Sequence, residues 1–246
     1  MPLKQDTLKQ FVKAGEQKTV FLLLDEASSR ECVFILEDHA DIHVVVLAQG
    51  SGSFSYRSSL ADHAHIHWHI ITKGSNDAHH ELISECTGDD AVSTVDWIFL
   101  AKKEEKMDIS VKNVFLGKRG GGEVTIKGIA QEKGNVRAYG LIDIGPQGGG
   151  TNTYLTEDVL MLDPTAKVDA IPALEIKTND VKASHSATVS RVTEEDLFYF
   201  AARGIAEKQA RRMYVDGFLS DLLIKIPTPA FQEKVAIALQ QNTTFH

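Results

Sequence analysis

Residues 38 to 46 read DHADIHVVV, and residues 62 to 70 read DHAHIHWHI. Asp, His, Ala, Ile and His recur in the same order, 24 positions apart. A repeat of that length is typical of one coil of a β-solenoid, in which each coil buries its apolar face only against its neighbours. The two segments therefore predict a stack of β-coils.

Stacking the two segments in register predicts which side chains point inwards, because side chains alternate between the faces of a strand. The pairs expected to line the interior are Ala40 with Ala64, Ile42 with Ile66, and Val44 with Trp68. The pairs expected on the outside are His39 with His63 and His43 with His67. A β-sandwich is the alternative fold, and it explains the strand spacing but not the in-register repeat.

The region from about residue 18 to residue 185 has the pattern of an all-β fold. Short runs rich in β-branched and aromatic residues, such as TVFLLL and TVDWIFL, are separated by turn clusters such as QGSGS and KRGGGE. The turns recur roughly every dozen residues, and no helix-length segment separates the strands. A doubly wound α/β sheet is therefore disfavoured.

Helical patterns flank this β region. Thr193 and Asp196 have the spacing of a capping box, and Gly204 is a natural helix end. A second helix is predicted up to Pro227, a third over residues 229–241, and a short N-terminal helix over residues 3–14. The predicted organisation is an N-terminal helix in residues 1–17, a β core in residues 18–190, and a helical region in residues 191–246.

Composition excludes several classes of protein. The net charge of −8 over 246 residues provides no clustered basic surface for nucleic acid. The apolar runs are too short to cross a bilayer, and the N-terminal residues lack the apolar core of a secretory signal. The two cysteines, Cys32 and Cys86, cannot form a disulfide framework. We therefore expect a cytoplasmic chain with buried structural thiols.

Two features suggest a metal or functional site. The first is HAHIHWH, whose alternating imidazoles share one face of a strand and are common transition-metal ligands: His63, His65, His67 and His69. A polar strand face without metal is the favoured alternative, because no carboxylate in the sequence pattern completes a ligand shell. The second is His185, a lone imidazole among small residues where the β core meets the helices.

Four motifs resemble the SufB/SufD family of the SUF iron–sulfur cluster assembly machinery. They are VDAIPALEI (168–176), DVKASHSATVS (180–190), EEDLFYFAARGI (194–205) and ARRMYVDGFL (210–219). The resemblance implies a right-handed parallel β-helix with C-terminal α-helices. It also implies a non-catalytic scaffold subunit that binds a SufC-like ABC ATPase and dimerises through its β-helix, with itself or with a SufB-like subunit.

Departures from the family pattern favour a SufD-like short form. SufB-like members flank the His185 position with two acids, whereas this chain has Ser184 and Ser186. Glu157 stands where SufB-like members have a cysteine, and Ala183 where SufD-like members have one. Because thiolates normally hold iron–sulfur clusters, we expect no cluster bound tightly by this chain alone. His185 is expected to contribute one ligand at a shared interface, and Glu157 is a weaker oxygen-ligand candidate.

The resemblance also implies that the helical tail binds the ATPase. The candidate docking residues are aromatic, basic or large apolar side chains on the predicted helices, and packing against the β core is the alternative role for each: Phe198, Tyr199, Arg203, Arg211, Met213 and Phe218.

Overall fold

The computed structural model describes residues 6–24, 30–74 and 76–240, which form fourteen strands and three helices. The strands are β1 (Asp6–Val12), β2 (Gln17–Leu24), β3 (Arg30–Leu36), β4 (Asp41–Gln49), β5 (Gly52–Leu60), β6 (His65–Lys73), β7 (Ala78–Cys86), β8 (Val92–Ala101), β9 (Lys106–Phe115), β10 (Gly121–Ala130), β11 (Asn135–Ile144), β12 (Asn152–Met161), β13 (Lys167–Ile176) and β14 (Lys182–Arg191). The helices are α1 (Glu194–Ala201), α2 (Glu207–Leu223) and α3 (Pro229–Gln240).

The strands form two parallel sheets of seven strands each. Sheet A contains the odd-numbered strands in the order β1 to β13, and sheet B contains the even-numbered strands in the order β2 to β14. Each strand pairs with the strand two positions along the chain, so every coil gives one strand to each sheet. The fold is therefore a mainly β, parallel β-helix followed by helices, as predicted.

The predicted register of the repeat is confirmed. Ile42 pairs with Ile66, and Val44 pairs with Trp68. All four side chains lie in the hydrophobic interior between the two sheets. The outward histidines also stack as predicted, and the His39 and His63 rings lie 4.7 Å apart with an interplanar angle of 3°.

The DHA segments of the repeat form a corner between sheets. His39 and His63 both have left-handed backbone conformations, with φ of 59° and 55°. In this conformation the His39 amide donates to the Asp62 carbonyl on the next coil, and the His63 amide donates to the Asp89 carbonyl. Asp62 Oδ1 also accepts a hydrogen bond from the Asp89 amide, at 2.8 Å. The two DHA segments therefore form the same hydrogen-bonded corner in consecutive coils.

The helix predicted over residues 3–14 is wrong for its described part, because residues 6–12 form strand β1. This strand pairs with β3, and Leu8 and Val12 alternate with the exposed Thr7, Lys9 and Phe11. Pairing with the neighbouring coil lets the inward residues pack on the core, which outweighs the weak helical pattern of the segment. Residues 1–5 lie outside the described part of the chain.

The three helices predicted after residue 190 are confirmed. Thr193 caps α1 through the predicted reciprocal hydrogen bonds with Asp196. Helices α2 and α3 cover the outer face of sheet B and form a second hydrophobic core with it, in which Leu219 and Leu222 pack with Ile98 and Leu100. None of the described helices has the length and apolar character needed to cross a membrane.

Polar contacts hold this helical layer on the β-helix. Lys127 Nζ of β10 lies 2.7 Å from Asp221 Oδ2 of α2 and also donates to the Phe218 carbonyl. Lys73 Nζ of β6 donates to the Ala238 carbonyl of α3. We therefore expect α2 and α3 to move with the β-helix as one unit.

The surroundings of Gly128 show how closely the interior of the β-helix is packed. A Cβ atom at this position would lie 1.8 Å from Cζ of the fully buried Phe99. We expect Gly128→Ala to lower the free energy of unfolding by at least ~2 kcal/mol, because the ring must move in a close-packed core. The matched control is Gly217→Ala in α2, where a Cβ would meet nothing within 4 Å. Urea denaturation should show an equal or higher stability for that variant, and equal losses in both variants would contradict the packing.

Candidate functional site

His185 lies at the C-terminal end of the β-helix, which is formed by β13 and β14 and which we call the open end. It is on β14, the last strand of sheet B, and pairs with Leu155 of β12. Paired residues of parallel neighbours face the same side of a sheet, and Leu155 is fully buried in the interior. The register therefore places His185 on the interior-facing side of the last strand, where no further coil covers it and it is exposed.

Glu157 lies one coil deeper, on the same side of sheet B. Its side chain is fully buried, and neither carboxyl oxygen has a hydrogen-bond partner among the described residues. Burial raises the pKa of Glu157 to about 7, and the nearby Gly140 and Ile171 amides oppose this rise only in part. This carboxyl group at the end of the core therefore titrates near neutral pH, well above the range of an exposed glutamate.

Neither cysteine lies near this end of the β-helix. Cys32 is on β3 and Cys86 is at the end of β7, and both are buried. Burial also raises the pKa of the Cys86 thiol, so its thiolate form is disfavoured. Among the described residues, the open end therefore contains an imidazole and a carboxyl group but no thiol.

The four histidines of the HAHIHWH motif differ in burial. His63 and His65 are exposed, whereas His67 is half-buried and His69 is buried on the outer face of sheet B. The structure adds His43, which the sequence pattern placed beside His67 but did not identify as a candidate ligand. One potential ligand atom from each of His43, His67 and His69 lies within 4.8 Å of the others.

Asp96 of β8 completes this group, which we call the histidine cluster: His43, His67, His69 and Asp96. His43 Nδ1 lies 3.1 Å from His69 Nε2, and His67 Nε2 lies 2.6 Å from Asp96 Oδ2. The second carboxylate oxygen of Asp96 accepts a hydrogen bond from Lys225, which follows α2, at 3.0 Å.

Burial and neighbouring charges control ionisation in the histidine cluster. Burial, followed by the neighbouring His67, lowers the pKa of His69 to about 3. Burial works against ionisation of Asp96, but the hydrogen bonds from His67 and Lys225 lower its pKa. At neutral pH the cluster therefore contains a neutral buried imidazole beside a carboxylate.

Four of the predicted docking residues are exposed. Phe198 and Tyr199 of α1 are 73% and 57% exposed, and Met213 of α2 is 46% exposed. The Arg203 guanidinium lies 3.7 Å from the centre of the Tyr199 ring and donates to the Tyr199 carbonyl. The Arg203–Tyr199 contact orders a planar cation on an aromatic surface that faces solvent.

The other two docking candidates face the β-helix. Arg211 of α2 bonds with Glu207 and donates to the Leu162 carbonyl at the end of β12. Phe218 packs against the second core, and Lys127 Nζ lies 5.1 Å from its ring centre. Both side chains attach α2 to sheet B.

Comparison with known proteins gives the family. Residues 13–218 match the model described as "SUF system FeS cluster assembly, SufBD core domain". The match includes nearly the whole β-helix, α1 and most of α2. The chain belongs to the SufBD family.

Curated relatives agree with this assignment over part of their length. The chain is 31% identical over 140 residues to an iron–sulfur cluster assembly SufBD family protein of Synechocystis, covering 57% of this chain and 29% of that protein. It is 32% identical over 130 residues to the iron–sulfur cluster assembly protein SufB of Bacillus subtilis, covering 53% and 28% respectively. A Mycobacterium bovis SufBD family protein is 38% identical over 104 residues, covering 42% and 26%. The matched segment thus spans less than a third of each relative.

The SufBD match includes all of the candidate sites. His185, Glu157 and the exposed residues of α1 lie within residues 13–218, and so does the histidine cluster. Helix α3 and Lys225 lie beyond this range. The family assignment supports a role in iron–sulfur cluster assembly, which is the description of the matched domain.

Proposed function

We propose that this chain is a SufD-like, non-catalytic scaffold subunit of the SUF iron–sulfur cluster assembly machinery. The observation that carries this proposal is the SufBD match over residues 13–218, which includes nearly the whole β-helix and the first C-terminal helix. In this role the chain works in the cytoplasm with a SufC-like ABC ATPase. It pairs through its β-helix with a SufB-like subunit or a second copy of itself.

The exposed surface of α1 is the proposed ATPase-docking surface. Phe198 and Tyr199 present aromatic rings to solvent, and Arg203 is held against Tyr199. Aromatic residues and arginine are enriched at protein interfaces and often contribute most of the binding energy. Arg211 and Phe218 have the supporting role of attaching α2 to the β-helix. Met213 is the further exposed candidate on α2.

The open end of the β-helix is the proposed pairing surface. Strands β13 and β14 end their sheets, so each has one edge without a strand partner in the described chain. Ile171, Ile176 and Val189 on these strands are 40%, 41% and 47% exposed. Uncovered strand edges with apolar side chains are sites for pairing with another chain.

We expect the iron–sulfur cluster under assembly to be held as a substrate at this paired end of the β-helix. His185 lies there with its imidazole exposed, and Glu157 lies beneath the last coil with its carboxyl group buried. Since thiolates normally hold iron–sulfur clusters and both cysteines of this chain are buried elsewhere, the sulfur ligands come from the partner. His185 supplies one ligand from this side, and Glu157 is the oxygen-ligand candidate.

The ATPase acts on this end through the helical layer. When the ATPase pair binds ATP, it closes and moves the two attached scaffold subunits relative to each other. The contacts between ATPase and scaffold differ between the open and closed states, and this difference drives the movement. The Lys127–Asp221 and Lys225–Asp96 contacts join the helices to sheet B. The β-helix therefore moves together with the helical layer, and the interface near His185 opens.

A double variant tests the docking surface. We expect Phe198→Ala with Tyr199→Ala to weaken binding to the SufC-like ATPase at least ~10-fold, because the variant removes two exposed aromatic side chains from the interface. The measurement is isothermal titration with the purified ATPase. The matched control is Ile237→Ala on α3, which removes a side chain that is 47% exposed on another helix.

Unchanged affinity in the double variant would contradict docking through α1. Circular dichroism should show that both variants keep the wild-type fold, because neither of the two aromatic side chains is buried. If Ile237→Ala lost affinity and the double variant did not, the docking surface would be reassigned to α3.

A further inference from the structure

We propose that the histidine cluster is a binding site for a first-row divalent transition metal such as Zn²⁺, on the outer face of sheet B. This site is separate from His185 and does not depend on the proposed scaffold function. It differs from the metal site suggested by the HAHIHWH stripe, because it excludes His63 and His65 and includes His43 and Asp96.

The geometry of the imidazoles fits a tetrahedral metal. In tetrahedral coordination with metal–nitrogen distances near 2.05 Å, two ligand nitrogens lie roughly 3.3 Å apart. His43 Nδ1 and His69 Nε2 are 3.1 Å apart. With the third imidazole, His67, one ring nitrogen from each of the three residues lies within 4.8 Å of the others. The three imidazoles are therefore close enough to one another to be ligands of one ion.

Asp96 has the position of an outer-shell partner. Metal-bound histidines usually donate their other ring N–H to a carboxylate, which fixes the ring and its tautomer. Asp96 Oδ2 already contacts His67 Nε2 at 2.6 Å, leaving Nδ1 of His67 for a metal. The same oxygen lies 3.9 Å from Nδ1 of His69. One carboxylate therefore faces the ring nitrogens of two proposed ligands.

The unpartnered ring nitrogen of His69 also favours metal binding. Its side chain is 2% exposed, yet Nδ1 has no hydrogen-bond partner among the described residues. Buried polar atoms almost always have a hydrogen-bond partner, and one without a partner calls for an explanation such as an ion-binding role. A metal on Nε2 fixes Nδ1 as the protonated nitrogen and directs its N–H towards Asp96. The ion accounts for both nitrogens of this ring.

The site is accessible and spans three coils. His43 and His67 are half-buried, and His43 borders a surface cavity that is also lined by Lys18, Thr19 and Asp41. His43 lies on β4, His67 and His69 on β6, and Asp96 on β8. A bound metal therefore joins consecutive coils of sheet B and stabilises their stacking.

Metal titration of the full chain tests the proposal. The probes are Zn²⁺ alone, followed by calorimetry, and Co²⁺ alone, followed by its visible absorption in a tetrahedral site. We expect one ion per chain and a higher Tm in Zn²⁺, because the ion binds the folded state. His43→Asn with His67→Gln should weaken binding by more than ~10-fold, since the loss of even an outer-shell partner has an effect of that size.

The matched control is His63→Asn with His65→Asn, which removes two exposed imidazoles, one just before the same strand, β6, and one at its start, and should leave binding unchanged. Loss of binding in this control, or equal Zn²⁺ affinity in the His43/His67 variant and the wild type, would overturn the assignment. If the His43/His67 variant does not fold by circular dichroism, His43→Asn alone is measured, because that side chain is half-buried. Absence of a stoichiometric ion in the wild-type chain would show that the cluster is only a hydrogen-bonded network.

Discussion

Glu157→Gln is expected to stabilise the chain by about 3 kcal/mol more at pH 8 than at pH 4.5, relative to the wild type. The pKa of Glu157 rises from 4.5 to about 7 in the folded state because its carboxyl group is buried. Each unit of difference between folded and unfolded pKa corresponds to 1.36 kcal/mol, so the full shift corresponds to about 3 kcal/mol.

The direction of this pH effect depends on whether Glu157 loses its proton at a lower pH in the folded or in the unfolded chain. Between pH 4.5 and 7 the unfolded chain loses this proton while the folded chain retains it, so rising pH favours unfolding. The stability associated with the neutral Glu157 is fully present below pH 4.5 and is lost as pH rises through 7. Glutamine has nearly the same shape but does not titrate, so the variant avoids this loss.

Urea denaturation at pH 4.5, 6 and 8 measures the effect. The contributions of other titrating groups cancel in the difference between wild type and variant. Glu123→Gln on β10 is the matched control, because this carboxyl group is exposed and should give little pH-dependent difference. A stability difference between Glu157→Gln and the wild type that stays constant across these pH values would show that Glu157 is not held neutral by burial.

His185→Ala is expected to remove most of the chelator-resistant iron from a reconstituted complex of this chain with a SufB-like subunit and the ATPase. On the proposed function, His185 is the ligand that this chain presents at the open end of the β-helix. Without it, the cluster loses a ligand that neither buried cysteine can replace, because Cys32 and Cys86 lie on distant coils.

Iron and acid-labile sulfide, measured after anaerobic reconstitution and chelation, report this loss. His65→Ala is the matched control, since it removes an exposed imidazole from a strand far from the open end. Retention of the full iron content by His185→Ala would remove His185 from the proposed cluster site. Stable cluster loading by the isolated wild-type chain would contradict the requirement for partner thiolates.

The stacking of coils could be predicted because it follows from local rules. The register of Ile42 with Ile66 was visible as an exact spacing, and alternation then fixed which side chains face inwards. The capping box at Thr193 likewise depends on residues three positions apart. A fixed spacing in the sequence, either one coil or one helical turn, determines both features. A single sequence is therefore enough to predict them.

The histidine cluster could not be completed from the repeat alone. The coil length changes along the chain, and the 24-residue spacing that pairs His43 with His67 becomes a 27-residue spacing between His69 and Asp96. The pairing of Asp96 with His69 depends on a corner of different length, which no sequence pattern indicated. The carboxylate that the HAHIHWH motif lacked was therefore present on the next coil.

The docking candidates on the C-terminal helices show a similar limit of prediction from the sequence. The helical pattern located α1 and α2, but it did not separate exposed Phe198 from packed Phe218. That difference depends on how α2 lies across sheet B, which is a long-range contact. The same reason explains β1, where pairing with β3 decides the structure of a segment whose own pattern is weak.

Hydrogen–deuterium exchange with and without the SufC-like ATPase tests most directly whether the C-terminal helices connect the β-helix to an ATPase. The account predicts slower exchange of the amides in α1, residues 194–201, when the ATPase is added. It also predicts unchanged exchange in the strands of sheet A, which the helices do not cover. Unchanged exchange in α1 together with protection of sheet A would contradict the central claim.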